Sequence, residues 1–353
     1  MGCRTTAVPR LNDRLGTYRD ITLMLAAIIR CGNLIFLFAA LVLALPRSVN
    51  ADPVETEVQA PGPEGPLKGL MLSPGVDNAP VVLIVPGSGP TNRDGNSLHG
   101  LDTDTYKLLA QGLAARGIAS VRIDKRGMFS SRAAIPNANE VTIADYAGDV
   151  HTWAKTIRDK TGGRCVWVLG HSEGGLVAMV AAKDNPPDIC GLVLVAAPGR
   201  KFGELIKDQL RSNPANAPFL DEALRDIDTL EAGKRVEVSV ENTRPEIFMI
   251  FQPAVQGFLI DLMSYDPPNV LAAYKGPVLI LQGARDIQVG ADDARRLATA
   301  DPAAKLVLLP DVNHVLKSVT SDDKMANLQT YLDPKLPLAP GVVDDIADFV
   351  KSH

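Results

Sequence analysis

The sequence predicts an α/β fold in which a mostly parallel sheet is covered by helices on both faces. Apolar strand segments alternate with helical segments from about residue 81 to residue 197, and the alternation resumes near residue 277. This alternation is typical of parallel sheets, because each helix carries the chain back across one face of the sheet. With 353 residues, of which 46% are hydrophobic and 22% charged, the chain is long enough for a large core.

The first 51 residues differ from the rest and predict an export leader. Two apolar runs separated by Arg30 are followed by Pro46, and Val49 and Ala51 fit the third and first positions before a cleavage site after Ala51. Met24 is an alternative start for a compact signal of this kind. We expect cleavage and a periplasmic or secreted protein. The alternative is an uncleaved membrane anchor, in which case the leader is the protein's contact with the membrane.

The charge of the chain argues against nucleic acid as a partner. Residues 1–50 hold six basic and two acidic side chains, and the remainder carries 30 basic and 39 acidic side chains, a net charge of −9. Such a surface repels a polyanion. We therefore expect a small-molecule substrate as the partner, and the sequence does not indicate an oligomeric state.

Two cysteines, Cys165 and Cys190, remain outside the leader. Each stands seven residues before the end of an apolar strand region, and these two strands are neighbours in a parallel sheet of this type. In an oxidising compartment the two thiols could form a disulfide. Two buried free thiols are an equally good interpretation.

The predicted elements follow one another in a regular order. Residues 54–60 and 67–73 form an antiparallel opening pair across the turn-rich PGPEGP segment. Four strands then alternate with three helices, and two further strands with their helices close the chain. The strands are predicted at VVLIV, IASVRID, CVWVLG, CGLVLV, PVLILQG and KLVLLP, and the helices near residues 106–116, 143–158, from 174, 292–300 and from 342.

The alternation breaks between the sixth and seventh strands. Residues 199–270 are helical in pattern and interrupted by prolines, which predicts a helical cap over the carboxyl ends of the strands, where ligands bind in such sheets. The catalytic domain is then formed by residues 52–198 and 271–353.

Part of this insertion carries an apolar helical face that Pro253 is expected to kink or divide. The face either packs on the main domain or forms an acyl-binding wall. Its members, predicted to bind substrate, are Phe248, Phe251, Val255 and Phe258, with Leu262 in line.

Ser172 in the segment GHSEG is the predicted nucleophile. An apolar strand precedes it and a run of small residues typical of a helix follows. At such a corner the serine is held in a strained conformation, so side chains at positions 170 and 174 would collide with the neighbouring strand and helix unless both residues are glycine.

A serine hydroxyl needs a histidine to accept its proton and an acid to orient that histidine. In this topology the acid precedes the histidine, and both follow the nucleophile. Asp286 and His314 each lie directly after a strand in that order. The competing acids are Asp292, Asp293 and Asp311.

The developing oxyanion needs two preorganised N–H donors. One is predicted to be the backbone N–H of Glu173, the residue after the nucleophile. The other should come from the loop after VVLIV, where two glycines flank Ser88 and let its backbone approach the substrate.

These segments resemble the α/β-hydrolases, specifically the bacterial esterases grouped with serine aminopeptidase-like and dienelactone hydrolase-like proteins. The resemblance covers nearly everything from about Val54 onward, and it implies an α/β-hydrolase fold and ester hydrolysis without a metal or an organic cofactor. One departure is Phe129, where relatives usually carry a second glycine. The segments that carry the resemblance are PGSGPTNRDGN, RIDKRGMFSS, GHSEGG, QGARDIQV and NHVLK, with YLDPKLPLAPGVVDDIADFV at the end of the chain.

We therefore predict a serine esterase that cleaves esters of small or medium acyl chains through the Ser172–His314–Asp286 triad and an acyl-enzyme. An aminopeptidase or a thioesterase on the same triad is the alternative. A non-catalytic binding scaffold is disfavoured, because all three triad positions are filled.

Overall fold

The computed structural model describes residues 52–97, 100–241 and 243–353. The described residues all fall within one compact unit. The leader predicted over residues 1–51 lies outside the described residues. Within the described part no single helix is long and apolar enough to span a membrane. Two short consecutive helices separated by a bend of 58° reach that length and apolar composition only when they are taken together.

An eight-stranded sheet forms the centre of this unit. The strand order is β1-β2-β4-β3-β5-β6-β7-β8. The opening strands β1 and β2 are antiparallel, as predicted, β2 is antiparallel to β4, and the remaining pairs are parallel. The strands are β1 Val54–Ala60, β2 Leu67–Ser73, β3 Val81–Val85, β4 Ala119–Ile123, β5 Val166–His171, β6 Ile189–Val195, β7 Val278–Gly283 and β8 Lys305–Leu309.

Helices connect the strands, and further helices follow the last strand, β8. They are α1 Thr105–Ala115, α2 Ile143–Thr161, α3 Glu173–Ala182, α4 Phe202–Arg211, α5 Leu220–Glu231, α6 Pro245–Phe251, α7 Pro253–Ser264, α8 Pro267–Ala273, α9 Ala291–Ala300, α10 Lys324–Gln329 and α11 Val342–Ser352, with 3₁₀ turns at Phe129–Ala134, Pro214–Asn216 and Thr330–Leu332.

Helix α2 shows how local sequence sets the element boundaries. The Thr142 hydroxyl accepts a hydrogen bond from the N–H of Asp145, whose carboxylate accepts one from the N–H of Thr142. This reciprocal capping satisfies two donors at the start of the helix. Gly162 ends the helix with a φ of 74°, a conformation that glycine adopts without steric cost.

Two apolar cores lie on opposite faces of the sheet. One joins residues of the sheet to α2 and α3, and the other joins residues of the sheet to α1 and α11. The central strands β3, β5 and β7 are buried along their whole length, as expected for strands covered on both faces. The predicted fold class is confirmed.

Helices α4 to α8 lie between β6 and β7 in the chain, which is the insertion expected from the sequence. Pro253 begins a new helix after α6, so the predicted division of the apolar segment is observed. The insertion buries an apolar core of its own, which includes Ile227, Ile247 and Phe251. The domain limits at 199 and 270 stay a prediction.

A disulfide joins Cys165 and Cys190. Cys165 immediately precedes β5, and Cys190 lies near the start of β6, its parallel neighbour. The two alternatives left open by the sequence are thereby decided in favour of the bridge.

Candidate active site

Ser172 occupies the sharp turn between β5 and α3. Its φ of 55° and ψ of −126° are unusual for a residue with a side chain, and its N–H donates to the carbonyl of Val195 at 2.9 Å. A Cβ at Gly170 would lie 2.1 Å from the carbonyl oxygen of Gly174, and one at Gly174 would lie 2.3 Å from that of Val85. Both glycines are therefore required by space, for the reason that the sequence suggested.

The His314 imidazole is held by a buried carboxylate. Its Nδ1 lies 2.7 Å from Oδ2 of Asp286, and both side chains are almost fully buried. The second oxygen of Asp286 accepts from the backbone N–H groups of Gln288 and Val289, at 2.8 and 2.9 Å. With Nδ1 engaged by the carboxylate, Nε2 is the nitrogen left to exchange a proton.

Asp286 is ionised in this environment. Burial of the carboxyl opposes ionisation, but His314 and the N–H groups of Gln288 and Val289 outweigh burial and hold the pKa of Asp286 below its usual value. Asp286 thus places a negative charge beside Nδ1 of His314.

Two of the competing acids are engaged elsewhere, and the third is exposed. Asp292 pairs with Arg295 at 2.6 Å, and Asp293 accepts from Arg200 and from the N–H of Gly199. The side chain of Asp311 is exposed. Of the four acids considered from the sequence, the structure brings Asp286 to His314.

A second buried histidine, His171, was not assigned a role by the sequence. Its Nε2 lies 2.8 Å from the carbonyl oxygen of His314, and its Nδ1 lies 2.9 Å from the hydroxyl of Tyr106. Burial, assisted by the neighbouring His314, lowers the pKa of His171 to about 3, so this ring is neutral near pH 7 and donates from Nε2 to the carbonyl. His171 therefore anchors the backbone of His314. Its position directly before Ser172 is the signal that could have indicated this contact.

The two N–H groups predicted to bind the oxyanion are unoccupied. Within the part of the chain that the structure describes, the backbone N–H groups of Ser88 and Glu173 donate no hydrogen bond. Ser88 is exposed in the loop after β3, and Glu173 is the first residue of α3. A Cβ at Gly87 would lie 3.1 Å from Cβ of Ser172, so this loop passes close beside the nucleophile.

Two cavities meet at this turn. The histidine-side cavity, of about 210 Å³, is lined by Ser172, His314 and Tyr331 among others. The insertion-side cavity, of about 670 Å³, is lined by Glu173 and by apolar side chains of α7. Ser88 and Phe202 line both cavities.

The predicted substrate-binding face is divided by the structure. Val255 and Phe258 line the insertion-side cavity. Phe251 is fully buried in the core of the insertion and lines neither cavity, and Phe248 lines neither as well. The structure therefore places Phe248 and Phe251 outside both cavities. The cause is the break at Pro253, which turns α6 away from the face presented by α7.

Phe129 begins a 3₁₀ turn beside the insertion-side cavity and lines it. Its φ is 43°, within the left-handed region that favours glycine, and its side chain is 38% exposed. The chain thus keeps a glycine-like backbone at this point while presenting an aromatic ring to the cavity.

Asp94, in the loop after β3, forms an ion pair with Arg122 of β4. Arg122 is buried and also pairs with Glu55 of β1. Asp94 is thus engaged within the fold, which agrees with a structural role for it. Among the described residues no group of three or more His, Cys, Asp or Glu side chains is arranged to hold a metal ion.

Parts of this chain are similar in sequence to known proteins. The family described as serine aminopeptidase, S33, matches residues 98–225, which include Ser172. The esterase EstD of Thermotoga maritima is 28% identical over 244 residues, 68% of this chain and 55% of that protein. The sn-1-specific diacylglycerol lipase ABHD11 of Danio rerio is 24% identical over 187 residues. These 187 residues cover 49% of this chain and 58% of ABHD11, so the chain spans little more than half of either relative.

Solved structures share the fold at low sequence identity. The α/β-hydrolase GrgF from Penicillium sp. sh18 aligns over 85% of this chain and 99% of its own, with a TM-score of 0.54 and 16% identity. Est1E from Butyrivibrio proteoclasticus aligns over 84% and 99%, with a TM-score of 0.52 and 14% identity. With its mostly parallel sheet and the serine turn between β5 and α3, the chain has the α/β-hydrolase fold, and parts of its sequence are similar to the serine aminopeptidase family and to the esterase EstD.

Proposed function

We propose that the protein is a serine esterase that cleaves small-molecule carboxylic esters of small or medium acyl chains. The observation that carries this proposal is the cavity shared by Ser172 on its strained turn and His314 with its Asp286 partner. A hydroxyl, a base oriented by a buried acid and two unoccupied N–H groups are what acyl transfer requires.

The steps follow from these positions. His314 takes the proton of Ser172 through Nε2 as Oγ attacks the ester carbonyl, and the N–H groups of Ser88 and Glu173 receive the oxyanion. Collapse of the tetrahedral intermediate releases the alcohol, which takes the proton from His314 and leaves an acyl-enzyme. Water, activated by His314 in the same way, then releases the acid and restores the serine.

The two cavities suggest how the substrate lies. The group that protonates the departing alcohol must be next to the alcohol oxygen, so the alcohol belongs in the histidine-side cavity. The acyl chain then extends past Glu173 into the larger insertion-side cavity, where Val255 and Phe258 supply apolar contact. Each acyl methylene buried there contributes at most about 0.8 kcal/mol, or roughly a fourfold gain in kcat/KM.

A panel of chromogenic esters of graded acyl length, assayed with Ser172→Ala beside the unchanged protein, tests the proposal. A fluorophosphonate probe should label Ser172, and the variant should lose labelling and turnover by orders of magnitude. Ser352→Ala, at the exposed end of α11, is the matched control and should retain both. Labelling and turnover that persist in Ser172→Ala would refute this nucleophile.

Cleavage of aminoacyl amides is the second candidate, because one buried carboxylate oxygen, Oε2 of Glu173, has no hydrogen-bond partner among the described residues and could receive an ammonium group. The ester proposal is preferred because Lys125 already neutralises Glu173 through Oε1 at 3.1 Å. Aminoacyl amides and thioesters in the same panel decide between these activities. Preference for aminoacyl amides over every ester would replace our proposal.

We also propose that the protein is exported. The apolar leader with its cleavage pattern supports export, and so does the disulfide, since disulfides persist mainly in oxidising compartments. Mass spectrometry of protein recovered from the periplasm or medium should find a new amino terminus near Asp52. Recovery of the intact leader in the membrane fraction would favour an anchor.

A further inference from the structure

Lys125, in the loop directly after β4, is a buried cation beside the candidate site. Only 4% of the residue is exposed. Its Nζ donates to the carbonyl oxygen of Gly87 at 2.8 Å and to Oε1 of Glu173 at 3.1 Å, and it lies 5.0 Å from the centre of the Tyr146 ring. A lysine so placed is fixed, because it has exchanged water for these partners.

The hydrogen bond from Lys125 to the carbonyl oxygen of Gly87 affects the orientation of the backbone N–H of Ser88. The peptide group between Gly87 and Ser88 is planar, and in a trans peptide the carbonyl and the N–H point in opposite directions. Holding the oxygen of Gly87 therefore fixes the direction of the Ser88 N–H. The preceding peptide is held as well, since the N–H of Gly87 donates to the hydroxyl of Tyr106 at 3.2 Å.

The second contact of Lys125 is with the residue that supplies the other donor. Glu173 is the first residue of α3, and its side chain is buried beside the turn that carries Ser172. One ammonium group thus binds both the loop of Ser88 and the start of α3. Because Oε2 of Glu173 has no partner among the described residues, Lys125 supplies the only cation bound to this carboxylate there.

We propose that Lys125 is the positioning residue of the oxyanion hole, which sets the two backbone donors at Ser88 and Glu173 relative to each other. The inference rests on the esterase mechanism proposed above. Lys125 does not contact substrate in this account. Its ammonium group orients the Gly87–Ser88 peptide and, through the hydrogen bond to the carbonyl, polarises the N–H that receives the oxyanion.

The test compares Lys125→Met with the double variant Lys125→Met/Glu173→Gln. The single change leaves a buried carboxylate without its cation, which destabilises the fold, whereas the double change removes both charges. The matched control is Arg126→Met/Asp149→Asn, which removes another buried ion pair, joined at 2.6 and 2.7 Å, with no contact to Gly87 or Glu173.

We expect kcat for ester hydrolysis to fall about 10- to 100-fold in the double variant, part of the 10²- to 10³-fold loss caused by removing one donor. KM should change less than about threefold, because the donors act on the transition state. A trifluoromethyl ketone, which places an oxyanion in the hole, should bind about 10- to 100-fold more weakly, and the control pair should keep both kcat and this affinity.

Unchanged kcat and unchanged ketone affinity in the folded double variant would overturn the role of Lys125. An equal loss of kcat in the control pair would also overturn it, since ion-pair burial in general would then explain the effect. Ester turnover that survives Ser172→Ala would instead refute the esterase mechanism itself, so the two failures are distinguishable.

Discussion

The double substitution Cys165→Ala/Cys190→Ala tests how much the disulfide stabilises the sheet. The two cysteines are 25 residues apart in the chain, and closing a loop of this length removes denatured-state entropy equivalent to about 3.5 kcal/mol. For about 300 folded residues this loss corresponds to a fall in Tm of about 5 °C. The bridge lies at the start of β5, at the opposite end of that strand from Ser172, so kcat should stay unchanged.

Urea unfolding of the unchanged protein and of the variant, each with and without dithiothreitol, measures this difference. The reductant should lower the free energy of unfolding of the unchanged protein to that of the variant and leave the variant unaffected. Equal free energies of unfolding for the unchanged protein and the variant, both measured without dithiothreitol, would refute the loop-entropy argument. A fall in kcat at temperatures where the variant is fully folded would show instead that the bridge shapes the nucleophile turn.

Three further predictions concern the site and its surroundings. Phe258→Ala should lower kcat/KM for long-chain esters about tenfold while leaving kcat/KM for acetyl esters unchanged. Phe251→Ala should instead lower the free energy of unfolding by about 3–5 kcal/mol without changing the chain-length profile. An equal fall in kcat/KM for all esters in Phe258→Ala would contradict the placement of the acyl chain against Phe258. Asp286→Asn should lower kcat about 10⁴-fold in steady-state assays with the fold intact, because the imidazole of His314 loses its orienting charge, and a loss below tenfold would count against the triad. Because His171 titrates near 6.5 when unfolded and at about 3 when folded, acid favours the unfolded chain, and the free energy of unfolding should fall by up to about 1.4 kcal/mol per pH unit between these values. His171→Gln should remove that part of the slope in denaturant titrations at several pH values, and an identical slope would show that His171 is not the titrating group.

The sequence predicts best what depends on strand order and local turn chemistry. Gly170 and Gly174 indicate the sharp turn because no side chain fits at either position, and Asp286 and His314 follow strands whose carboxyl ends meet at one edge of the sheet. Pro253 indicates the break between α6 and α7 for an equally local reason.

Contacts between distant segments could not be predicted in the same way. Periodicity places Phe251 and Phe258 on one apolar face, but it does not predict what each side chain contacts. Phe251 lies in the core of the insertion, whereas Phe258 lines a cavity. A loop lysine such as Lys125 is usually solvated, and only the folded chain brings Gly87 and Glu173 to it. The disulfide likewise depended on the distance between two strands, which spacing in the sequence leaves open.

The left-handed backbone at Phe129 is unfavourable for the stability of the fold, while its side chain narrows the insertion-side cavity. A side chain in this conformation costs roughly 1–2 kcal/mol, and the ring of Phe129 remains 38% exposed. Glycine would relax the backbone and widen the insertion-side cavity at the same time. For the esterase proposed above, position 129 is therefore a site at which directed evolution can exchange backbone strain for a wider insertion-side cavity, without touching Ser172, His314 or Asp286.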